Sequence, residues 1–138
     1  MSKRFEVIDH TADIGIAAYG ADLKEAFANA AYALFSLMVD LEDVGDAICH
    51  EVEVISEDRM DLLVAWLNEL IYLFETENML LKRFEIGELT ETRLRASCYG
   101  QKIDPLHHKI KTAVKAATYH MLKIEEGDGF RVQVLFDI

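Results

Sequence analysis

From Phe130 to the last residue, apolar and other positions alternate. Phe130, Val132, Val134, Phe136 and Ile138 are separated by Arg131, Gln133, Leu135 and Asp137, the period-two pattern of a half-buried strand. The pattern predicts a strand that runs to the end of the sequence and sets the terminal carboxylate beside Asp137. Two short strands are predicted near the start, Arg4 to Ile8 and Ile14 to Tyr19, with Gly20 closing the second. The period then changes to helical. Asp22 followed by Glu25 resembles a capping box, and Leu23, Ala26, Phe27, Ala30, Leu34, Leu37 and Met38 keep helical spacing to about Val39. Ile48 to Ser56 reads as a strand, after which Ser56 or Asp58 caps a second helix. Leu62, Leu63, Trp66, Leu67, Leu70, Ile71 and Phe74 give that helix a broad apolar face, fit to cover a sheet. Leu81 to Leu89 and Arg93 to Ile103 form a hairpin across Thr90-Glu91-Thr92, with a bend expected at Gly100. His107 to Val114 is expected to hold a helical turn. Ala117 to Glu125 pairs with the final strand across Gly127-Asp128-Gly129.

The predicted order is ββαβαββ(α)ββ. Two amphipathic helices cannot wrap a large sheet on both sides, so the class expected is α+β: mainly antiparallel sheet with two helices packed on it. The 138 residues, 51% hydrophobic and with a single proline, are read as one domain spanning residues 1–138, large enough to need no staple. Cys49 and Cys98 show no metal or redox spacing and read as reduced strand residues of a cytoplasmic protein. No secretory leader and no apolar run of membrane-spanning length is found. With 14 basic and 25 acidic residues the formal charge is −11. That opposes direct binding of a nucleic acid and favours a basic partner surface.

The chemistry that could be carried is narrow. Neither a GxxxxGK[ST] nor a GxGxxG phosphate loop occurs, nor GxSxG, nor HExxH. His10, His107, His108 and His120 therefore read first as structural groups rather than as a zinc site. Asp13, between the first two strands, has two readings: an Asx-turn or capping acid that bonds its own loop, or one of three oxygen donors, with Asp137 and the Ile138 carboxylate, that converge on a hard cation. Convergence is expected to require that the first and last strands be neighbours. Unpaired carboxylates in contact would repel by roughly 4 kcal/mol at an effective dielectric near 20, so a cation or an Arg/Lys is needed among them.

Four fragments taken together resemble the archease family: His10-Thr11-Ala12-Asp13-Ile14-Gly15; the Trp66 to Glu77 helix with Arg83-Phe84-Glu85 after it; Val114-Lys115-Ala116-Ala117-Thr118-Tyr119-His120; and terminal Phe136-Asp137-Ile138. The resemblance spans nearly the whole chain. It implies a strand-helix-strand-strand fold with a related module inserted, and a small cytoplasmic protein that assists an RtcB-type RNA ligase in tRNA splicing. Such a helper promotes guanylylation of the ligase's active-site histidine and allows multiple turnover without being the catalyst itself. The family's metal site, Ca²⁺ in crystals with Mg²⁺ also compatible, carries over to Asp13, Asp137 and Ile138. His10, Lys82, Arg83 and His108 are accessory or partner-contact candidates.

One departure stands in Asp104-Pro105-Leu106-His107-His108, where His107 occupies the place of a family arginine and replaces a fixed charge by a titratable one. Two rival functions remain. A stand-alone metal-dependent phosphohydrolase would use Asp13 and Asp137 for the ion and His10 as acid-base group, whereas a general folding modulator would need neither.

Overall fold

The structure, a computed structural model, describes residues 3–9 and 12–138. Seven strands and two helices follow the order β1 (Phe5–Asp9), β2 (Ile14–Gly20), α1 (Leu23–Met38), a 3-10 turn (Leu41–Asp43), β3 (Ile48–Ile55), α2 (Arg59–Glu77), β4 (Met79–Leu89), β5 (Arg93–Lys102), β6 (Ala116–Gly127) and β7 (Gly129–Asp137). No helix among the described residues is long and apolar enough to cross a membrane. The predicted class is correct, and the strands divide into two antiparallel sheets. The four-stranded sheet has the order β1-β2-β7-β6 and the three-stranded sheet the order β3-β5-β4.

The two sheets repeat one topology. In β3-α2-β4-β5 a strand and a helix are followed by a hairpin whose second strand inserts beside the first. β2-α1-β6-β7 does the same, with the first unit placed between its helix and its hairpin. The inserted strand-helix-strand-strand module expected from the family resemblance is therefore present, with β1 added at the edge of the outer unit.

Both helices lie between the sheets. α1 packs on β1, β2 and β7 from one side and on β4 from the other, while α2 packs on β6 and on β3, β4 and β5. A helix covered on opposite sides must be apolar nearly all round, and in α1 the runs 29–31, 33–35 and 37–38 are buried without interruption. Asp22 caps it by accepting from Glu25 N at 2.8 Å, and Glu25 Oε1 in turn accepts from Ala21 N at 2.7 Å. Asp58, not Ser56, is the N-cap of α2, and Asn78 ends it in the left-handed region at φ 54°. Trp66, fully buried, donates Nε1–H to Phe27 O at 3.1 Å and meets Phe84 edge-on, tying α2 to α1 and to β4.

Three expectations are corrected. β7 is central, not half-buried: residues 132–136 are buried on both faces, and it ends at Asp137, one residue before Ile138. The 107–114 segment holds no helix. It has a turn in which His107 N and His108 N both donate to Asp104 O, and then runs irregularly to β6. Gly100 does not break its strand; a Cβ there would overlap the Leu80 carbonyl oxygen across β4, so glycine permits a close backbone approach.

Candidate metal centre

β2 and β7 run antiparallel, with Ile14 opposite Phe136 and Gly15 opposite Leu135. Ile14 with Phe136 is the last pair of the register, so Asp13, directly before β2, and Asp137, the last residue of β7, lie at the same end of the two strands. Alternation along β7 places Asp137 on the outer face of the sheet, the side away from the helices, because Val132, Val134 and Phe136 of the other parity belong to the core. The neighbour of β7 is thus β2, which Asp13 precedes directly, rather than the first strand that the sequence reading required. Gly15 completes the arrangement. A Cβ there would overlap Cδ2 of Leu135, so the leucine lies across the glycine and is only 1% exposed despite facing outward.

The other flank of Asp137 is formed by β6. Ala116 pairs with Asp137, and Lys115 N donates to Asp137 O at 2.8 Å. The start of β6 is held by α2, where Asn68 Oδ1 accepts from Ala117 N at 2.8 Å and satisfies an edge-strand amide. Neither role was assigned to Asn68 or Lys115 from the sequence. Asn68 is one polar position in an apolar helix, and only the packing of α2 on β6 reveals what it faces.

Asp13 is half-buried and Asp137 exposed, while Ile138 is 49% exposed. Among the described residues no three His, Cys, Asp or Glu side chains form a metal-holding group. The candidate donor set from the sequence comprises the Asp13 and Asp137 carboxylates at one end of β2 and β7, with Ile138 following Asp137. It contains oxygen only, which matches a hard divalent cation and not zinc.

The accessory candidates do not gather around these acids as one patch. His10 lies outside the described residues. His108 is buried, and its ring is fully engaged: Asp104 N donates to Nδ1 at 2.8 Å, which leaves Nε2 as the protonated nitrogen, 2.8 Å from Asp43 O. It staples the 104–108 turn to the 3-10 turn. Lys82 is also a staple. It sits at a bulge of β4 and donates to Val44 O at 2.6 Å. Arg83 is exposed beside Tyr99, its guanidinium 3.7 Å from the ring centroid, and pairs with Glu85 and Asp46. His107 Nδ1 is 2.7 Å from Asp104 Oδ2; that bond and the Leu106 amide hold the Asp104 carboxyl below its usual range. The cysteines occupy opposite faces of β3 and β5. Cys49 is exposed and pairs in register with Tyr99, whereas Cys98 is buried, and burial pushes its thiol up to about 12.

A family model described as the Archease protein family (MTH1598/TM1083) matches residues 5–138. The chain belongs to the archease family. It is 40% identical over 141 residues to the protein archease of Methanosarcina acetivorans, covering 99% of this chain and 97% of that one. It is 45% identical over 127 residues to the protein archease of Pyrococcus abyssi, covering 90% and 89%. The solution structure of Methanobacterium thermoautotrophicum protein 1598 superposes with a TM-score of 0.82 at 40% identity, over 98% of this chain and 99% of that one. A crystal structure from Thermotoga maritima, described as an archease and possible chaperone, shares the fold with a TM-score of 0.56 at 24% identity, over 100% and 98%. The duplicated strand-helix-strand-strand architecture is accordingly the archease fold, and the Asp13 to Gly15 and Phe136 to Ile138 fragments that prompted the resemblance meet at one end of its outer sheet.

Proposed function

We propose that this archease-family chain is a cation-binding activator of an RtcB-type RNA ligase in tRNA splicing. The observation that carries the reading is the pairing of β2 with β7, which brings Asp13, directly before β2, to the same sheet end as Asp137 and Ile138. Asp13, Asp137 and Ile138 would hold Ca²⁺ or Mg²⁺. Bound there, the cation supplies charge neutralisation and a Lewis-acidic site at the protein surface. The chain's own contribution is positional. Gly15 and Leu135 lock the register that brings the acids together, and the Lys115 and Ala116 backbone fixes the end of β7. The action expected is to promote guanylylation of the ligase's histidine and so permit repeated turnover, with no turnover of substrate by this chain alone.

The test is ligated product per ligase molecule at limiting amounts of this chain, with guanylylation followed separately by labelled GTP. Asp13→Asn and Asp137→Asn are expected to melt cooperatively, to lose the rise in Tm that Ca²⁺ or Mg²⁺ gives the parent protein by mass action, and to leave the ligase at a single turnover. Full multiple turnover with both variants would make the acidic pair structural. Suppression of aggregation of unrelated proteins, with no effect on the ligase, would support a folding modulator instead.

A further inference from the structure

On the flank formed by α2 and β6, the outer sheet departs from its own geometry. Thr118 pairs with Leu135 and Lys123 with Gln133, so β6 spends five steps where β7 spends two. The slack is taken up in a bulge whose Met121 adopts φ 55°, a left-handed conformation that is a genuine outlier for a bulky side chain. A dedicated network holds it. Gln133, 5% exposed, donates to Met121 O at 2.9 Å, and Arg131 donates to Gln133 Oε1 at 3.0 Å. A buried polar side chain and a strained backbone are both unfavourable in isolation. Here they turn large side chains outward: Tyr119 is 60% exposed and Met121 45%.

Helix α2 continues this flank. Asp61, Ala65, Asn68 and Tyr72 recur at helical spacing on one face. Asp61 and Tyr119 line one shallow depression with Asn68 and Ala117, and Asn68 bonds Ala117. The helix thus runs antiparallel to β6, and Tyr72, 57% exposed, falls beyond Ala117 toward the sheet end that carries Asp137. From Asp61 to Tyr72 the stripe is about 16 Å long at ~1.5 Å per residue. Its margin is acidic. Glu57, Asp58, Asp61 and Glu69 form no ion pair among the described residues, whose salt bridges involve other acids.

We infer that this flank is the docking surface for a basic protein, with Tyr119, Tyr72 and Met121 at the contact centre and the four acids at the rim. Resting on the reading under Proposed function, that protein is the ligase. Tyrosine and methionine are the residues enriched at interface centres, and a tyrosine side chain, with two rotatable torsions, orders at small entropic cost. A second copy of this chain is disfavoured because it would set acid rim against acid rim, and a nucleic acid is disfavoured on the same ground. The stripe ends near Asp137, so one partner seated on it can also reach the candidate metal site.

The experiment is calorimetric titration of the ligase with the full chain, comparing the parent protein with a Tyr72→Ala, Tyr119→Ala, Met121→Ala triple variant. An Ile55→Ala variant, altered at an exposed apolar residue on β3, serves as control. The triple variant is expected to bind at least about tenfold more weakly while Ile55→Ala matches the parent. A Glu57→Lys, Glu69→Lys variant leaves the packing untouched and should slow association, which keeps the proposal testable if the triple variant melts early. Parent-like affinity in the triple variant, or parent-like association in the charge-reversed one, overturns the surface alone. Absence of binding by the parent protein refutes the ligase reading and this partner with it. A dimer of the parent that the triple variant abolishes assigns the face to self-association and overturns the proposal.

Discussion

At the scale of single residues, Gly15 governs the end of the sheet where the acids meet. Gly15 lies within β2, as the predicted Ile14 to Tyr19 strand requires, but it is paired with Leu135 and serves as the seat of that side chain. The need for a hydrogen at this position arises from a residue 120 places later, so no local pattern announces it. Asp13, just before a predicted strand, and Asp137, within the predicted final strand, are legible in the sequence, and only the pairing of β2 with β7 that brings them to one sheet end requires the fold. Gly15→Ala is expected to destabilise the protein by about 1–3 kcal/mol through overpacking against Leu135. Adding Leu135→Ala should recover part of that loss, because the clash and not glycine's flexibility is responsible. Chemical denaturation of the single and double variants measures the coupling; additive losses would mean that Leu135 is not what Gly15 accommodates.

Among the elements, periodicity located both helices to within a residue or two, since Asp22 and Asp58 cap them as their side chains dictate. It did not reveal that they form a middle layer. The spacing of the apolar positions in α1 shows one face, but small buried residues on two sides, Ala26 and Ala30 on one and Ala31 on another, let two sheets approach it. The alternation in β7 was likewise taken for a solvent-facing strand. Gln133 and Leu135 are buried because the β6 bulge and the Gly15 gap cover the outer face, and both are long-range effects. Trp66 shows how much rests on the middle layer, since it touches the second sheet through Phe84 and the other helix through the Phe27 carbonyl. Trp66→Ala should cost about 3–5 kcal/mol, read as a fall in denaturation midpoint at unchanged slope. A loss below about 1 kcal/mol would show that the two sheets do not depend on this contact for their cohesion.

For the molecule as a whole, the duplicated module explains how 138 residues form two sheets around one apolar layer while leaving flanks free for recognition. Each helix is shared by both modules, so the core is continuous from one sheet to the other. The excess acids occupy the surface that remains. A net charge of −11 repels a polyanion and attracts a protein whose grooves are basic because they handle RNA. The chain alone is therefore expected not to retain transfer RNA on a filter at physiological salt. Its association with a basic ligase should be fast at low ionic strength and slow as salt screens the field over the ~8–10 Å Debye length of ordinary buffers. Stopped-flow association across a salt series measures the second expectation, and a rate independent of salt would remove charge from the account of docking. Tight RNA retention that weakens steeply with salt would contradict the first expectation.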